Sequence, residues 1–149
     1  MRENHILIID DDLMLLKTAE EILSVQYNVS VAKSGIQALN LLNKNIIPDL
    51  ILLDIDMPQM DGYETLEEIK KIPRCELIPI IFLTGFSEMD YEVRGLKAGA
   101  VDYIVKPFAK EILLARVERH LERYQQRQHK KSMELSDYAK QIKSQLTPT

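Results

Sequence analysis

The chain has 149 residues, 46% of them hydrophobic, a formal net charge of −4 and a single cysteine. That length suits one domain with its own core and a short appendage. It holds no run of roughly 18 apolar residues that could span a membrane and no Cys/His cluster at zinc spacing. The acids in "MRENHILIIDDD" also come too early for a secretory signal, so a cytoplasmic protein is expected. The charge is uneven: residues 108–149 carry nine Lys and Arg against five Asp and Glu, leaving ten against eighteen in residues 1–107. A body that acidic speaks against direct nucleic-acid binding and suits a divalent cation. The basic tail reads as a solvated helix face.

In chain order, "HILII" (5–9) is a continuous apolar run and predicts a strand buried on both faces. Asp10, Asp11 and Asp12 follow, and a helical pattern over 12–25 puts Leu13, Leu16, Ala19 and Leu23 on one face. "YNVSVA" (27–32) alternates, with Val29 and Val31 on one side, as on an edge strand. Ser34 can cap a second helix that turns Ala38, Leu39 and Leu42 inward. "DLILL" (49–53) predicts a third strand running straight into Asp54, with Asp56 two residues on. An Asp61-Gly62 turn then opens a third helix, with Leu66 and Ile69 inward. "IPIIFLT" (78–84) predicts the fourth strand, with Pro79, which lacks a backbone donor, at its very start. Ser87 can cap a fourth helix ending near Gly99. "DYIV" (102–105) is a short fifth strand that ends at Lys106-Pro107. The last helix begins after Pro107, with Leu113, Val117 and Leu121 inside.

No Gly or Pro occurs from Phe108 to Thr147, so this last helix can run on. A 3.5-residue spacing passes through Leu114, Val117, Leu121, Tyr124, Gln128, Lys131, Leu135, Tyr138, Ile142 and Gln145. Seven of these ten are apolar, which suggests a coiled coil weakened in the middle by Gln128 and Lys131. The alternative is a helix that closes the domain near Arg123, followed by a frayed tail. The division expected is a domain over 1–123 and a helical extension over 124–149.

Alternating strands and helices imply a doubly wound parallel α/β sheet, flavodoxin-like, with strand order 2-1-3-4-5. Ligands of such sheets sit beyond the carboxyl ends of the strands, where the order reverses. Strand one ends in Asp10-Asp11, strand three in Asp54, strand four in Thr84-Gly85 and strand five in Lys106-Pro107. Adjacent strands lie about 4.8 Å apart, so Asp10 or Asp11 can approach Asp54. Carboxylates that close repel and raise one another's pKa, and a hard divalent cation removes the conflict.

With these residues in this order, the chain resembles the receiver domain of two-component response regulators from about His5 to Arg123. The resemblance rests on "ILIIDDD", "PDLILLDIDMPQMDG", "IIFLTG" and "DYIVKPF". It implies that Asp54 accepts a phosphoryl group from a phosphohistidine on a sensor histidine kinase or phosphotransfer protein. It further implies that Asp10, Asp11, Asp54 and the backbone carbonyl of Asp56 hold Mg²⁺, for which Mn²⁺ can substitute. Thr84 would donate its hydroxyl to a phosphoryl oxygen and Lys106 its charge. Thr84 and Tyr103 would form the switch that changes the surface of the fourth helix, fifth strand and fifth helix. Asp56 and Phe86 would tune the lifetime of the phosphorylated state. The family pattern implies a cis Lys106-Pro107 bond, whereas X-Pro bonds in general favour trans. The expected role is signalling, with catalysis confined to the domain's own phosphorylation and dephosphorylation. A homodimer through either the switch surface or the C-terminal helix is expected, and so is an output domain beyond this chain.

Rival readings exist. "DIDMP" also looks like the Asp-x-Asp motif of haloacid-dehalogenase-like phosphatases, with Asp54 as nucleophile. That family carries the motif on its opening strand, whereas here it follows the third. A flavin or nucleotide binder would share the topology but needs a phosphate-cradling glycine loop after strand one, which is missing. A receiver-like module used only for protein interaction is the third alternative.

Overall fold

The computed structural model describes residues 4–85 and 97–146. Five parallel strands form one sheet in the order β2-β1-β3-β4-β5, with β1 His5–Ile9, β2 Asn28–Ala32, β3 Leu50–Asp54, β4 Ile80–Thr84 and β5 Asp102–Val105. Helices α1 (Leu13–Leu23), α2 (Gly35–Asn43) and α3 (Gly62–Lys70) alternate with the strands, and a C-terminal helix runs unbroken from Lys110 to Leu146. The expected sheet order and all five expected strands are therefore present, with ends shifted by at most two residues. The fourth expected helix and its cap Ser87 lie largely outside the described residues. Lys97 and Ala98 are helical, and Gly99 at φ +112 ends that turn, a backbone conformation that glycine adopts at little cost.

The apolar runs explain the sheet. Every residue of β3 and β4 is buried, as is β1 from Ile6, because helices cover both faces. One core layer, including Leu7, Ile9, Ile51, Leu53 and Phe82, packs under α2 and α3, where Tyr63 meets Phe82 edge-on at 5.3 Å. The other, including Ile6, Ile8, Leu50, Leu52 and Ile81, packs under α1 and the C-terminal helix through Leu16, Leu23, Leu113, Val117 and Leu121. Pro79 stands one residue before β4, where it donates nothing but its carbonyl accepts from Ile51 N at 3.0 Å.

One expected core residue is not in the core. Leu13 is 58% exposed while Leu16, Ala19 and Leu23 of the same stripe are buried. It is the first residue of α1, and this turn enters from beyond the carboxyl ends of the strands, where no sheet lies beneath it. The caps explain the other helix starts. Ser34 Oγ accepts from Gln37 N, and Asp61 forms a reciprocal capping box with Glu64.

Candidate functional site

The register sets the site. Ile9 pairs with Leu53 and Asp54 with Leu83, so Asp10 emerges beside Asp54. Thr84 pairs with Val105, and Lys106 N donates to Thr84 O at 2.6 Å, which fixes the start of the Lys106 side chain above the same edge. Asp10 and Thr84 are buried and Asp54 is only 3% exposed, whereas Asp11 reaches solvent. One carboxylate oxygen from each of Asp10, Asp11 and Asp54 lies within 4.8 Å of the others. Four strand ends thus converge, as the topology requires.

The three consecutive acids have divided their work. Asp12 is the N-cap of α1, its side chain accepting from Met14 N at 3.0 Å and Leu15 N at 3.3 Å. Asp10 Oδ1 accepts from Asp12 N at 2.9 Å, which orients the carboxylate. Its Oδ2 lies 2.8 Å from Lys106 Nζ, yet off the hydrogen-bonding direction, so this buried oxygen has no aligned donor. The same ammonium donates to Asp54 Oδ1 at 3.0 Å. Burial first, and the Asp10 charge second, push the Asp54 carboxyl up to about 7 against the opposing pull of Lys106. Burial pulls the Lys106 ammonium down, but its contacts to Asp10 and Asp54 win and hold it above its ordinary value.

Three clustered carboxylates set against the one Lys106 ammonium, with a buried Asp10 oxygen that has no aligned donor, leave room for more positive charge. Their oxygens are hard donors of the type that Mg²⁺ takes from one or two carboxylates plus water, so the donor set fits a divalent cation.

The loop after β3 is built around close approach. A Cβ on Gly62 would lie 2.5 Å from Asp54 O and 2.7 Å from Ile55 Cα, and Gly62 N donates to Ile55 O at 2.8 Å. Glycine therefore lets α3 start directly against the strand end that carries Asp54. Met60 N donates to Pro58 O at 2.8 Å across Gln59, whose φ is +69, a tight three-residue turn that non-glycine residues rarely adopt. Asp56 stands exposed on this loop. Tyr103, the expected switch aromatic, is partly buried on the edge strand β5 and packs against the core. Phe86 lies outside the described residues. The Lys106-Pro107 bond is cis.

A second polar cluster stands beside Tyr103 and has no local signature in the sequence. Asp102 Oδ2 pairs with Nε2 of buried His120 at 2.9 Å, and Asp102 Oδ1 with Arg116 Nη1 at 3.4 Å. Arg116 also donates to Tyr103 O at 2.5 Å. Arg116 and His120 are one helical turn apart, but nothing local in the sequence names a strand residue as their partner.

The family model for the response regulator receiver domain matches residues 6–118. A Vibrio cholerae protein named "Probable cyclic di-GMP phosphodiesterase" is 44% identical over 117 residues, which are 78% of this chain and 26% of that one. Response regulator MprA of Mycobacterium sp. (strain KMS) is 40% identical, over 80% of this chain and 51% of its own. A CheY-like response regulator receiver domain protein from Methanospirillum hungatei superposes with a TM-score of 0.76 at 32% identity, covering 83% of this chain and 98% of that one. The chain thus spans about a quarter to a half of the curated relatives it matches. The phosphatase reading finds no support, because Asp54 closes the third strand, at the sheet centre, and the acid pair precedes it. Among the described residues no helix is long and apolar enough to cross a membrane. With its sheet order, its converging strand ends and a family match over most of its length, this chain belongs to the response regulator receiver domain family of two-component signal transduction.

Proposed function

We propose that Asp54 is the phosphoacceptor of this receiver, taking its phosphoryl group from a phosphohistidine of a sensor histidine kinase or phosphotransfer protein. The observation that carries this is the placement of Asp54 beside Asp10, with the Lys106 ammonium in contact with both, at the end of a fully buried strand. An oxygen of the Asp54 carboxylate attacks phosphorus as the P–N bond to the donor imidazole breaks, leaving an acyl phosphate. Such transfer depends on in-line positioning and on stabilising charge spread over the phosphoryl oxygens. Lys106 supplies a point cation already within 3.0 Å of the acceptor, and Thr84, on the neighbouring strand end, supplies a hydroxyl. Asp10, Asp11 and Asp54, with the carbonyl of Asp56, would hold Mg²⁺ or Mn²⁺, which adds positive charge where the transferring group develops negative charge.

Family membership supports the further parts of the reading. Residues 1–123 form the receiver and 124–149 a helical extension that leads to an output domain. Thr84 and Tyr103 relay phosphorylation to the surface of the fourth helix, β5 and the C-terminal helix. Asp56 and Phe86 set the lifetime of the acyl phosphate. Two copies associate through the switch surface or the C-terminal helix, the protein works in the cytoplasm, and it makes no direct nucleic-acid contact through this chain.

The test is intact mass after incubation with Mg²⁺ and acetyl phosphate. A gain of one phosphoryl group that requires Mg²⁺ and is lost in Asp54→Asn supports the assignment. A gain that persists in Asp54→Asn overturns it.

A further inference from the structure

We propose that the cavity between the start of β5 and the middle of the C-terminal helix binds a small ligand carrying two or three linked phosphates. The cavity measures about 640 Å³ and is lined by Val101, His120, Arg123, Gln126, Arg127 and Lys130. That volume falls among small-ligand pockets, which run from roughly 300 to 1,000 Å³. Val101 precedes β5 at its amino end, about 16 Å along the strand direction from Lys106. The cavity is therefore separate from the Asp54 site, and the inference goes beyond phosphoacceptance.

Charge points to an anion. Arg123, Arg127 and Lys130 are all exposed, and among the described residues no carboxylate comes within ion-pairing distance of any of them. Arg116, on the same helix, is by contrast paired with Asp102. The three free cations are spaced four and three residues apart, so they share one helix face and repel one another. The acids of this segment are turned elsewhere. Glu118 and Glu122 lie close enough to Tyr27 to add to the effect of burial in raising its hydroxyl above the ordinary value. An anion seated among the cations would relieve their repulsion.

A solvated basic face would need no concavity, and here there is one. His120 lines it while only 5% exposed, with its Nε2 held 2.9 Å from Asp102 Oδ2. A carboxylate only accepts, so this pairing fixes the ring with its Nε2 proton toward Asp102. Val101, 37% exposed, gives the cavity an apolar wall. Each arginine offers a planar fork to phosphate oxygens, and Lys130 offers a point charge. Spread over about 10 Å of helix, the three suit a chain of phosphates better than a single ion. A nucleotide and an inorganic polyphosphate share that chemistry, and the apolar wall favours the nucleotide.

Isothermal titration of the whole chain in metal-free buffer tests this, with ATP and inorganic tripolyphosphate as probes. Saturable one-to-one binding of ATP is expected. Arg123→Gln/Arg127→Gln should weaken it by about tenfold or more, through lost charge-assisted hydrogen bonds. Both side chains are exposed, so the fold should persist, and circular dichroism checks that it does. Lys44→Gln/Lys140→Gln removes the same charge from exposed positions elsewhere and should leave the affinity within roughly twofold. Tighter binding of ATP than of tripolyphosphate supports a nucleotide site, and equal or weaker binding of ATP supports a site for the inorganic chain. Absence of saturable binding by both probes overturns the proposal. Equal weakening in the two double variants overturns it as well, since only the summed charge would then matter.

Discussion

The carboxyl end of the sheet and the outer half of the C-terminal helix are inverse cases. At the sheet end, charge is buried: Asp10 and Asp54 sit within a few per cent of full burial and share one lysine. On the outer helix, apolar side chains are exposed, from Ile142 to Leu146. Neither arrangement is comfortable by itself, because burying uncompensated charge and solvating a contiguous apolar stripe both cost free energy. The difference lies in what holds each in place. Four strand ends and the Gly62 turn fix the acidic site, whereas the outer helix is exposed at every residue from Gln125 to Leu146. The acidic site is fixed before any ligand arrives, and the stripe is an apolar face left in solvent.

If Lys106 offsets the buried carboxylates of the sheet end, removing this ammonium should be the most damaging change. Lys106→Met leaves two buried carboxylates with no cation, a loss on the order of 3–5 kcal/mol for breaking a buried pair. We expect a large fall in the denaturation midpoint in chelator, partly restored by Mg²⁺, and no efficient phosphoryl uptake. Urea denaturation with and without Mg²⁺ checks this, and an unchanged midpoint would show that the carboxylates are better solvated than their burial indicates.

Gly62→Ala is next. Its Cβ would meet the Asp54 carbonyl and the Ile55 Cα, both backbone and unable to move aside cheaply. Overpacking of this kind costs about 1–3 kcal/mol. It should also weaken Mg²⁺ binding by displacing the strand end, to be read by metal titration.

The pH dependence sharpens the electrostatic half of the comparison. Asp54 rises from 3.8 to about 7 on folding, so between those values the folded protein binds more protons than the unfolded one. Stability contributed by this group is present below pH 4 and is lost as pH climbs through 7. In chelator, Asp54→Asn should therefore be about 1–2 kcal/mol more stable than wild type at pH 8, a figure discounted for solvent access to the site. The gain should vanish near pH 4. A thermal-unfolding series across pH measures it, and a gain that does not shrink toward acid pH would refute the raised carboxyl.

How much of this could be read from sequence also follows the comparison. The site was legible because each residue is tied to a strand end: "LILLD" names Asp54, "ILIID" names Asp10, and the alternating pattern fixes the order that joins them. Leu13 was misplaced because a helical stripe says which face is apolar but not how far the sheet extends beneath it. The Asp102–His120 pair was invisible because its partners are 18 residues apart with no shared local pattern. On the outer helix the heptad pattern was readable but not its partner, since Val117 and Leu121 of the same register face the chain's own core.

That last point gives the most diagnostic contrast, one whose second member carries the smallest effect. Leu121 and Leu135 are both leucines on one face of one helix, 2% and 61% exposed. Leu121→Ala should cost about 2–4 kcal/mol, because a buried side chain leaves a cavity between helix and sheet. Leu135→Ala, measured at a dilution where the chain is a monomer, should change stability by no more than about 0.5 kcal/mol. At high concentration the second variant should lose whatever extra stability association lends the wild type, since a dimer is favoured by mass action. Equal losses at low concentration would mean that Leu135 packs within its own chain, and the contrast between core and exposed face would collapse.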